Sequence, residues 1–444
     1  IEGQFHVKVP FVTPGYEKNP PSLPSGAIAV AMETTGETLL HLFITLEPPL
    51  AQPEKLKLKF QSEEDDRLLR YAAHWQTTSP HPARLLLTTT LNMAGQTTLV
   101  TRYVHPQRPP RDLITLTQLH RFVSLVPHLP ARTAFAASDC TLWATTEEVL
   151  EIGAGDAAEH AIMLCNFFLY GNALAWVVWG RGIPEGRTAY VLVREDGAAR
   201  VPAVATGAAG MLAAATAAAA ATSMPGPAVF RLFNPVTGEK YELRDSHCPL
   251  KEIGCVFNGE NIWGNIQRYA DPARMNFDFH DLASWRPLFL RSFPKPELPS
   301  VQMEHPVYKS VSDRWVKNLE EKIERAVVSA VEEWRSFTLT RWNRLTSRML
   351  HPLLVHLEKT LLTTSEFTHG QLLSASKELE TTRSVYSLFG SPLNMPFTDI
   401  RAVLDAVHAT DVHGCAADRC EFALAVHVRG YPGGVASVWV WVAG

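Results

Sequence analysis

The segment from Gly155 to Gly180, GDAAEHAIMLCNFFLYGNALAWVVWG, contains residue types from which a thiol nucleophile could be built. Its pattern predicts a loop, a buried helix and a strand, and the helix holds both His160 and Cys165. A thiol becomes reactive when a helix N-terminus lowers its pKa, when an imidazole lies within hydrogen-bond reach, and when a third group orients that imidazole. The segment therefore raises the question of cysteine catalysis.

The position of Cys165 argues against that chemistry. It lies about two turns into the predicted helix, beyond the first turn to which the helix-dipole effect is confined. It also shares one apolar stripe with Ala161, Leu164 and Phe168. A small buried core residue is therefore favoured over a nucleophile. We interpret His160, in the first turn beside Glu159, as a surface or structural imidazole.

Two further segments hold residues of the kind that bind metal ions. SHCPLKEIGC offers His247, Cys248 and Cys255, and HGCAADRCEFALAVH offers His413, Cys415, Cys420 and His427. Neither has the closely spaced C-x2-C pairs that make a zinc prediction strong. The second segment is a weak candidate, but ordinary unliganded residues are favoured in both. We therefore predict no metal and no cofactor.

Composition limits the class of protein. The 444 residues, 46% hydrophobic and 19% charged, suffice for two or three domains with real cores. A net charge of -4 argues against a dedicated nucleic-acid binder. The six sparse cysteines are typical of reduced thiols in an intracellular protein. The uncharged stretch GAAGMLAAATAAAAATSMPG is weakly apolar, which favours a loop insertion over a membrane span, so we expect membrane contact to be indirect.

The order of predicted elements indicates an α+β fold. Residues 1–50 read as two strands, the end of a β-sandwich, and residues 51–114 as a helical connector and a strand pair. Residues 115–300 contain helices followed by short antiparallel strands, interrupted by a low-complexity insert at 197–228. Residues 301–444 are helical and end in a β-hairpin around YPGG. Because the chain starts at Ile1 without an initiator Met, we expect it to be a piece of a longer protein.

The block from 115 to 300 resembles papain-like and transglutaminase-like domains. In those domains Gly-x-Cys opens the long helix, His-Ala-aromatic begins the next strand, and Asp-Pro ends a later one. This sequence has Gly155-Asp156-Ala157, Thr188-Ala189-Tyr190 and Asn234-Pro235 at the corresponding places. The resemblance therefore implies a pseudoenzyme without the Cys-His-Asp triad, since alanine cannot attack a carbonyl and threonine is no near-neutral base.

More specific segments extend the resemblance over nearly the whole chain. They are IPEGRTAYVL, FNPVTGEKYE, CPLKEIGCVFNGENIWGNIQRY, LTRWNRL and CEFALAVHVRGYP. They are similar to the coiled-coil and C2 domain-containing family of the ciliary transition zone. This resemblance implies the end of a C2-type sandwich at residues 1–50, an inactive transglutaminase-like domain at 115–300 and a helical C-terminal region.

The same resemblance implies a role and partners. It implies a non-catalytic scaffold subunit of the Meckel–Joubert module at the cilium base, in the transition zone or basal body and on the cytoplasmic side. It implies B9-domain proteins, tectonics and transmembrane proteins as partners, and a part in cilium assembly and in gating ciliary membrane proteins.

Two alternatives to the scaffold remain open. One is a peptide-binding module, in which Ala157, Thr188, Tyr190 and Asn234 line a cleft for an extended chain such as an acidic tubulin tail. Nearby arginines that could favour an acidic peptide are Arg181, Arg187 and Arg231. The other alternative is an active cysteine enzyme that uses Cys165.

Overall fold

The computed structural model describes residues 5–9, 38–42, 62–129, 142–195, 229–363, 388–415 and 420–444. The predicted insert at 197–228 lies outside these residues. The chain divides into two compact units, residues 1–59 and 60–444. In the first unit, strand β1 (Phe5–Val9) pairs antiparallel with strand β2 (Thr38–Leu42). Both strands fall in segments predicted to be strands, and the C2-type sandwich around them stays a prediction.

The second unit opens with a connector that packs onto the following domain. Helix α1 (Asp66–Thr77) begins at Asp65, whose side chain accepts the Arg67 N–H. Strands β3 (Thr89–Asn92) and β4 (Thr97–Leu99) form the predicted antiparallel pair, and β5 (Leu142–Trp143) joins β3 in parallel. The Trp75 indole N–H of α1 donates to the Pro287 carbonyl at 3.1 Å, which holds the connector against the central sheet.

The central domain places helices before an antiparallel sheet, which confirms the α+β class. The helices are α2 (Leu116–Ser124), α3 (Thr146–Ile152) and α4 (Ala157–Tyr170). The strands are β6 (Leu174–Gly182), β7 (Gly186–Glu195), β8 (Val229–Phe233), β9 (Lys240–Glu242), β10 (Leu250–Phe257), β11 (Ile262–Asn265) and β12 (Trp285–Pro287). They lie in the order β12-β11-β10-β6-β7-β8-β9, and every neighbouring pair is antiparallel.

Apolar side chains cover both faces of this sheet. Alternate residues of a strand point to opposite faces. On β7, Ala189 and Val191 pack in the same cluster as the buried residues of α4. Tyr190 and Leu192 pack in a second cluster together with Trp285. Successive residues of β7 therefore lie alternately on the face that carries α4 and on the opposite face.

The C-terminal region is a small sheet between two long helices. Its helices are α5 (Asp313–Trp334), α6 (Arg344–Leu361) and α7 (Ile400–His408). Its strands are β13 (Leu393–Pro396), β14 (Ala423–Gly430) and β15 (Ala436–Ala443), in the order β13-β15-β14, so the chain ends in the predicted hairpin. Ser312 caps α5, and α6 contains Pro352.

Each long helix covers one face of this sheet. The α5 residues Leu319, Ile323 and Val327 pack against Val426 and its neighbours on one face. The α6 residues Leu350 and Leu354 pack against Trp439 and Trp441 on the other. In the described parts of the chain, no helix combines the length and the apolar character needed to cross a membrane.

Glu358 of α6 connects the C-terminal region to the central domain. It is fully buried, and its carboxylate accepts hydrogen bonds from the Arg121 guanidinium of α2 at 2.9 Å and from the Trp439 indole N–H at 2.6 Å. The hydroxyls of Tyr431 and Ser437 also donate to it. Burial acts to raise the pKa of Glu358, but the Arg121 charge and these hydrogen bonds outweigh that effect and hold the pKa below its usual range.

We predict that Glu358→Gln lowers the free energy of unfolding by about 3–5 kcal/mol at pH 7, because it leaves the Arg121 charge buried without its partner. Since the folded-state pKa of Glu358 is depressed, its contribution is complete above the unfolded pKa of about 4.3 and is lost as the pH falls through the folded pKa. The difference between wild type and Glu358→Gln should therefore shrink on acidification. Denaturant unfolding at pH 7 and at a pH below about 4.3 measures this difference in the free energy of unfolding. Lys359→Gln, at an exposed position on the same helix, is the control.

Candidate functional site

The first turn of α4 is closed by its own acidic side chains. Asp156 accepts the Glu159 N–H at 2.8 Å, and Glu159 accepts the N–H groups of Asp156 at 2.7 Å and Ala144 at 2.6 Å. Burial, with the nearby Asp156 charge, raises the pKa of Glu159 to about 7. Ala157 is the first helical residue and offers only a methyl group. A thiolate at this place would meet two carboxyl groups, which disfavour a second negative charge.

Cys165 and His160 both lie inside the core. Cys165 has no exposed surface, and burial raises the pKa of its thiol well above the ordinary value. His160 is equally buried, and its ring nitrogens lie 2.6 Å from the Asp156 carbonyl oxygen and 3.0 Å from that of Val126. His160 therefore ties α4 to the segment that follows α2. Of the two readings that the sequence allowed, a surface or a structural imidazole, the structure supports the structural one and contradicts the surface one.

Asn234 is the centre of a buried polar cluster at the end of β8. Its side-chain amide donates to the Tyr190 hydroxyl at 2.9 Å and to the Glu185 carboxylate at 3.0 Å. Its side-chain oxygen accepts the Val236 and Thr237 N–H groups. The Tyr190 hydroxyl in turn donates to Glu185 at 3.0 Å. Burial and the Glu185 charge raise the pKa of Tyr190, so the phenol stays protonated. All these groups are occupied within the protein.

His120 of α2 completes this cluster from the other side of Asn234. Its Nε2 lies 2.7 Å from the Asn234 carbonyl oxygen, and because a carbonyl can only accept, Nε2 carries the proton. Burial lowers the pKa of His120 to about 4, so the ring is neutral at pH 7. Sequence motifs did not identify His120 or Glu185. The signal for His120 was its place on the apolar face of α2, three residues before buried Val123 and four residues after Leu116.

The four predicted cleft residues do not lie on one side of the sheet. Tyr190 belongs to the cluster opposite α4, and Thr188 shares its face by strand alternation. Asn234 contacts Tyr190 on that same side. Ala157 begins the helix that packs on the other face. The structure therefore brings Thr188, Tyr190 and Asn234 together, all at most 4% exposed, and does not bring Ala157 to them.

Of the three arginines singled out in the sequence, Arg187 lies beside an open cavity. The cavity measures about 500 Å³ and is lined by Arg187, Trp179, Arg84 and the backbone region of Leu85–Leu87. Arg181 lies 3.5 Å from Glu252, and Arg231 lies 3.0 Å from Glu195. Acidic partners therefore offset two of the three predicted positive charges.

The residues of the two segments considered as metal sites in the sequence have separate surroundings. His247 is exposed and lies 3.2 Å from Asp245, whereas Cys248 and Cys255 are buried. In the second segment the sulfur atoms of Cys415 and Cys420 are 3.2 Å apart. The His413 ring stacks on that of His408, with ring centroids 4.5 Å apart. His427 instead contacts Glu320, which belongs to α5.

Comparison with known proteins first shows which domain families the chain matches. Residues 141–288 match the CEP76 peptidase-like domain, and residues 313–444 match the Centrosomal protein of 76 kDa C-terminal domain. The seven-stranded sheet with helix α4 is thus a peptidase-like α+β domain. The small sheet between α5 and α6 belongs to the C-terminal domain that follows it. The peptidase-like match agrees with the transglutaminase-like fold that the sequence indicated.

Individual relatives then show which proteins the chain is similar to. The chain is 31% identical to human protein CC2D2B over 464 residues, covering 100% of this chain and 29% of that protein. It is 27% identical to the Drosophila melanogaster coiled-coil and C2 domain-containing protein 2A over 400 residues, covering 88% of this chain and 27% of that protein. Human centrosomal protein of 76 kDa is 24% identical over 432 residues, covering 91% of this chain and 62% of that protein. The resemblance to the coiled-coil and C2 domain-containing proteins is confirmed, and the chain spans less than a third of each.

We predict that Cys165 is inert towards thiol reagents in the native protein, because its buried thiol forms little thiolate. A maleimide probe should label the partly exposed Cys415 and Cys420 at least about tenfold faster than Cys165. Mass spectrometry of peptides from a time course measures each rate. Cys255, equally buried in β10, is the matched control. Labelling of Cys165 faster than Cys255 would revive the cysteine-enzyme hypothesis.

Proposed function

We propose that this chain is a non-catalytic scaffold subunit of the ciliary transition zone, located at the cilium base on its cytoplasmic side. The observation that carries the proposal is its similarity along the whole chain to CC2D2B and to coiled-coil and C2 domain-containing protein 2A. In this role it serves cilium assembly and the gating of ciliary membrane proteins. Its partners are B9-domain proteins, tectonics and transmembrane proteins of the Meckel–Joubert module.

The chemistry of the peptidase-like domain supports a role without catalysis. Alanine stands at the start of α4, and the nearest thiol on that helix, Cys165, has no exposed surface. The side chain of Asn234 is fully engaged by Tyr190, Glu185 and its own turn. These groups stabilise the fold, so the domain contributes a rigid surface rather than a reaction.

A surface suited to a partner lies in the segment between α5 and α6. Phe337 is completely exposed, and Leu339 and Leu345 are 78% and 70% exposed. Apolar side chains presented together to water are typical of protein interaction sites. We assign residues 336–345, which run from just after α5 into the first turn of α6, as the connector surface through which the scaffold meets a protein partner.

We predict that the 444-residue chain binds a recombinant B9-domain protein and that Phe337→Ser with Leu339→Ser weakens the complex at least about tenfold, as expected when two apolar anchors are lost. Calorimetric titration measures the affinity. Leu282→Ser, which removes another exposed apolar side chain from a separate loop, is the matched control and should bind like wild type. An unchanged affinity in the double variant would remove the connector surface from the proposal. Absence of binding by the wild type would contradict the choice of partner.

A second candidate function is the binding of an acidic peptide, for example a tubulin tail. The observation that favours it is the cavity of about 500 Å³ whose lining includes both Arg187 and Trp179. A carboxylate of the peptide can pair with the guanidinium, and an apolar side chain can pack on the indole. This cavity replaces the cleft expected from the sequence, because Thr188, Tyr190 and Asn234 are buried.

We predict that a glutamate-rich peptide binds the chain and that Arg187→Glu reduces its affinity at least about tenfold by removing one charge-assisted contact and adding repulsion. The titration should weaken as salt rises, because exposed charges are screened. Arg181→Glu is the matched control, since Arg181 is opposite Arg187 in the strand register but is already paired with Glu252. Equal loss in both variants would indicate general attraction by net charge and not a site at the cavity.

A further inference from the structure

Two histidines and a glutamate converge in the C-terminal region from three different elements. They are Glu320 of α5, His351 of α6 and His427 of β14. His351 Nε2 lies 3.5 Å from Glu320 Oε1, and His427 Nδ1 lies 3.7 Å from the same oxygen. The two imidazole rings are nearly perpendicular, with centroids 5.7 Å apart. All three possible ligand atoms lie within 4.8 Å of one another.

The fold brings these side chains together at the edge of the small sheet. β14 is an edge strand, with α5 on one face and α6 on the other. His427 alternates with Val426 and Val428, so it points to the α6 face, where His351 lies. Glu320 approaches from the α5 side and reaches round the strand edge, where its Oε1 accepts the Val428 N–H at 3.3 Å. The carboxylate is therefore held in place by the backbone of the strand that carries His427.

We propose that Glu320, His351 and His427 form a Zn²⁺ site. A zinc ion bound tetrahedrally through nitrogen and oxygen ligands at about 2.0–2.1 Å requires its ligand atoms to be about 3.4 Å apart. The distances of 3.5 and 3.7 Å from Glu320 to the two imidazole nitrogens agree with that spacing. Small side-chain rotations suffice to close the site around an ion. The sequence favoured no metal, because it considered His427 only with the cysteines of its own segment.

The ligand types favour zinc over the commoner hard cations. Mg²⁺ and Ca²⁺ prefer oxygen ligands, whereas two imidazoles with one carboxylate suit Zn²⁺. Three protein ligands leave a fourth position for water or for a donor from a partner. The His351 side chain is 46% exposed, so an ion can enter from solvent. Bound zinc would connect α5, α6 and β14, which are separated by as much as 107 residues in the sequence, from Glu320 to His427.

The test is titration of the metal-stripped 444-residue chain with Zn²⁺, and with Co²⁺ as a spectroscopic probe. Wild type should bind one Zn²⁺ per chain, and Co²⁺ should give the visible absorption of a four- or five-coordinate ion. Glu320→Gln, His351→Gln and His427→Gln should each weaken Zn²⁺ binding by at least about tenfold, since each removes a ligand. Zinc should also raise the thermal midpoint of wild type, and a chelator should reverse the rise.

Two controls separate this site from chance metal binding. His247→Gln removes an exposed histidine that also lies beside a carboxylate, Asp245, and should bind Zn²⁺ like wild type. Circular dichroism of each ligand variant without metal checks that the fold is intact. The proposal is overturned if wild type binds no zinc at one ion per chain. It is overturned as well if the three ligand variants bind as tightly as wild type does.

Discussion

The buried carboxylate of Glu358 is the contact on which the arrangement of this chain depends. A charged group without solvent is costly unless opposite charge and hydrogen bonds replace the lost water. Here Arg121 supplies the charge, and Tyr431, Ser437 and Trp439 supply the donors. Arg121 belongs to the central domain and the other residues to the C-terminal region. All of them must converge for Glu358 to be buried, so this polar centre joins the two regions, together with Tyr431 and Val435, which pack in the central core cluster.

Packing accounts for the peptidase-like framework of the central domain. Helix α4 fills the space between α2 and the sheet with side chains that are almost all buried. Its capping box at Asp156 and Glu159 satisfies the first N–H groups without any ligand. Removing this helix would expose the core, whereas Ala157 at its first position is not part of the buried core cluster. The fold is therefore held by interactions that are independent of catalysis.

The local sequence pattern predicted the helices and strands well. It missed contacts between residues that lie far apart in the sequence. The sequence predicted a helical region within residues 301–444, and Leu319, Ile323 and Val327 of α5 are buried at the expected helical spacing. On α6, buried Glu358 lies on the same stripe as Leu350 and Leu354. Its partner Arg121 lies 237 residues away, and no spacing rule connects them.

The site residues illustrate the same limit. Spacing located Thr188, Tyr190 and Asn234 on neighbouring strands, and antiparallel pairing of β7 with β8 makes them close. It could not tell which face of the sheet they occupy, because a shift of one residue along a strand reverses the face. The sheet register places them opposite α4. The sequence therefore placed Thr188, Tyr190 and Asn234 on the right strands, but it wrongly placed Ala157 beside them.

Helix α6 carries two carboxylate-centred contacts with opposite character. Near its end, Glu358 is sealed from water and meets arginine, a group that stays charged at every pH at which proteins fold. About 10 Å earlier on the helix, the His351 imidazole meets Glu320 at a partly exposed edge that solvent can reach. The first contact fixes the position of α6 on the central domain. That fixed position then holds His351 at the edge of β14. The buried Glu358–Arg121 contact therefore sets the geometry of the partly exposed His351–Glu320 contact.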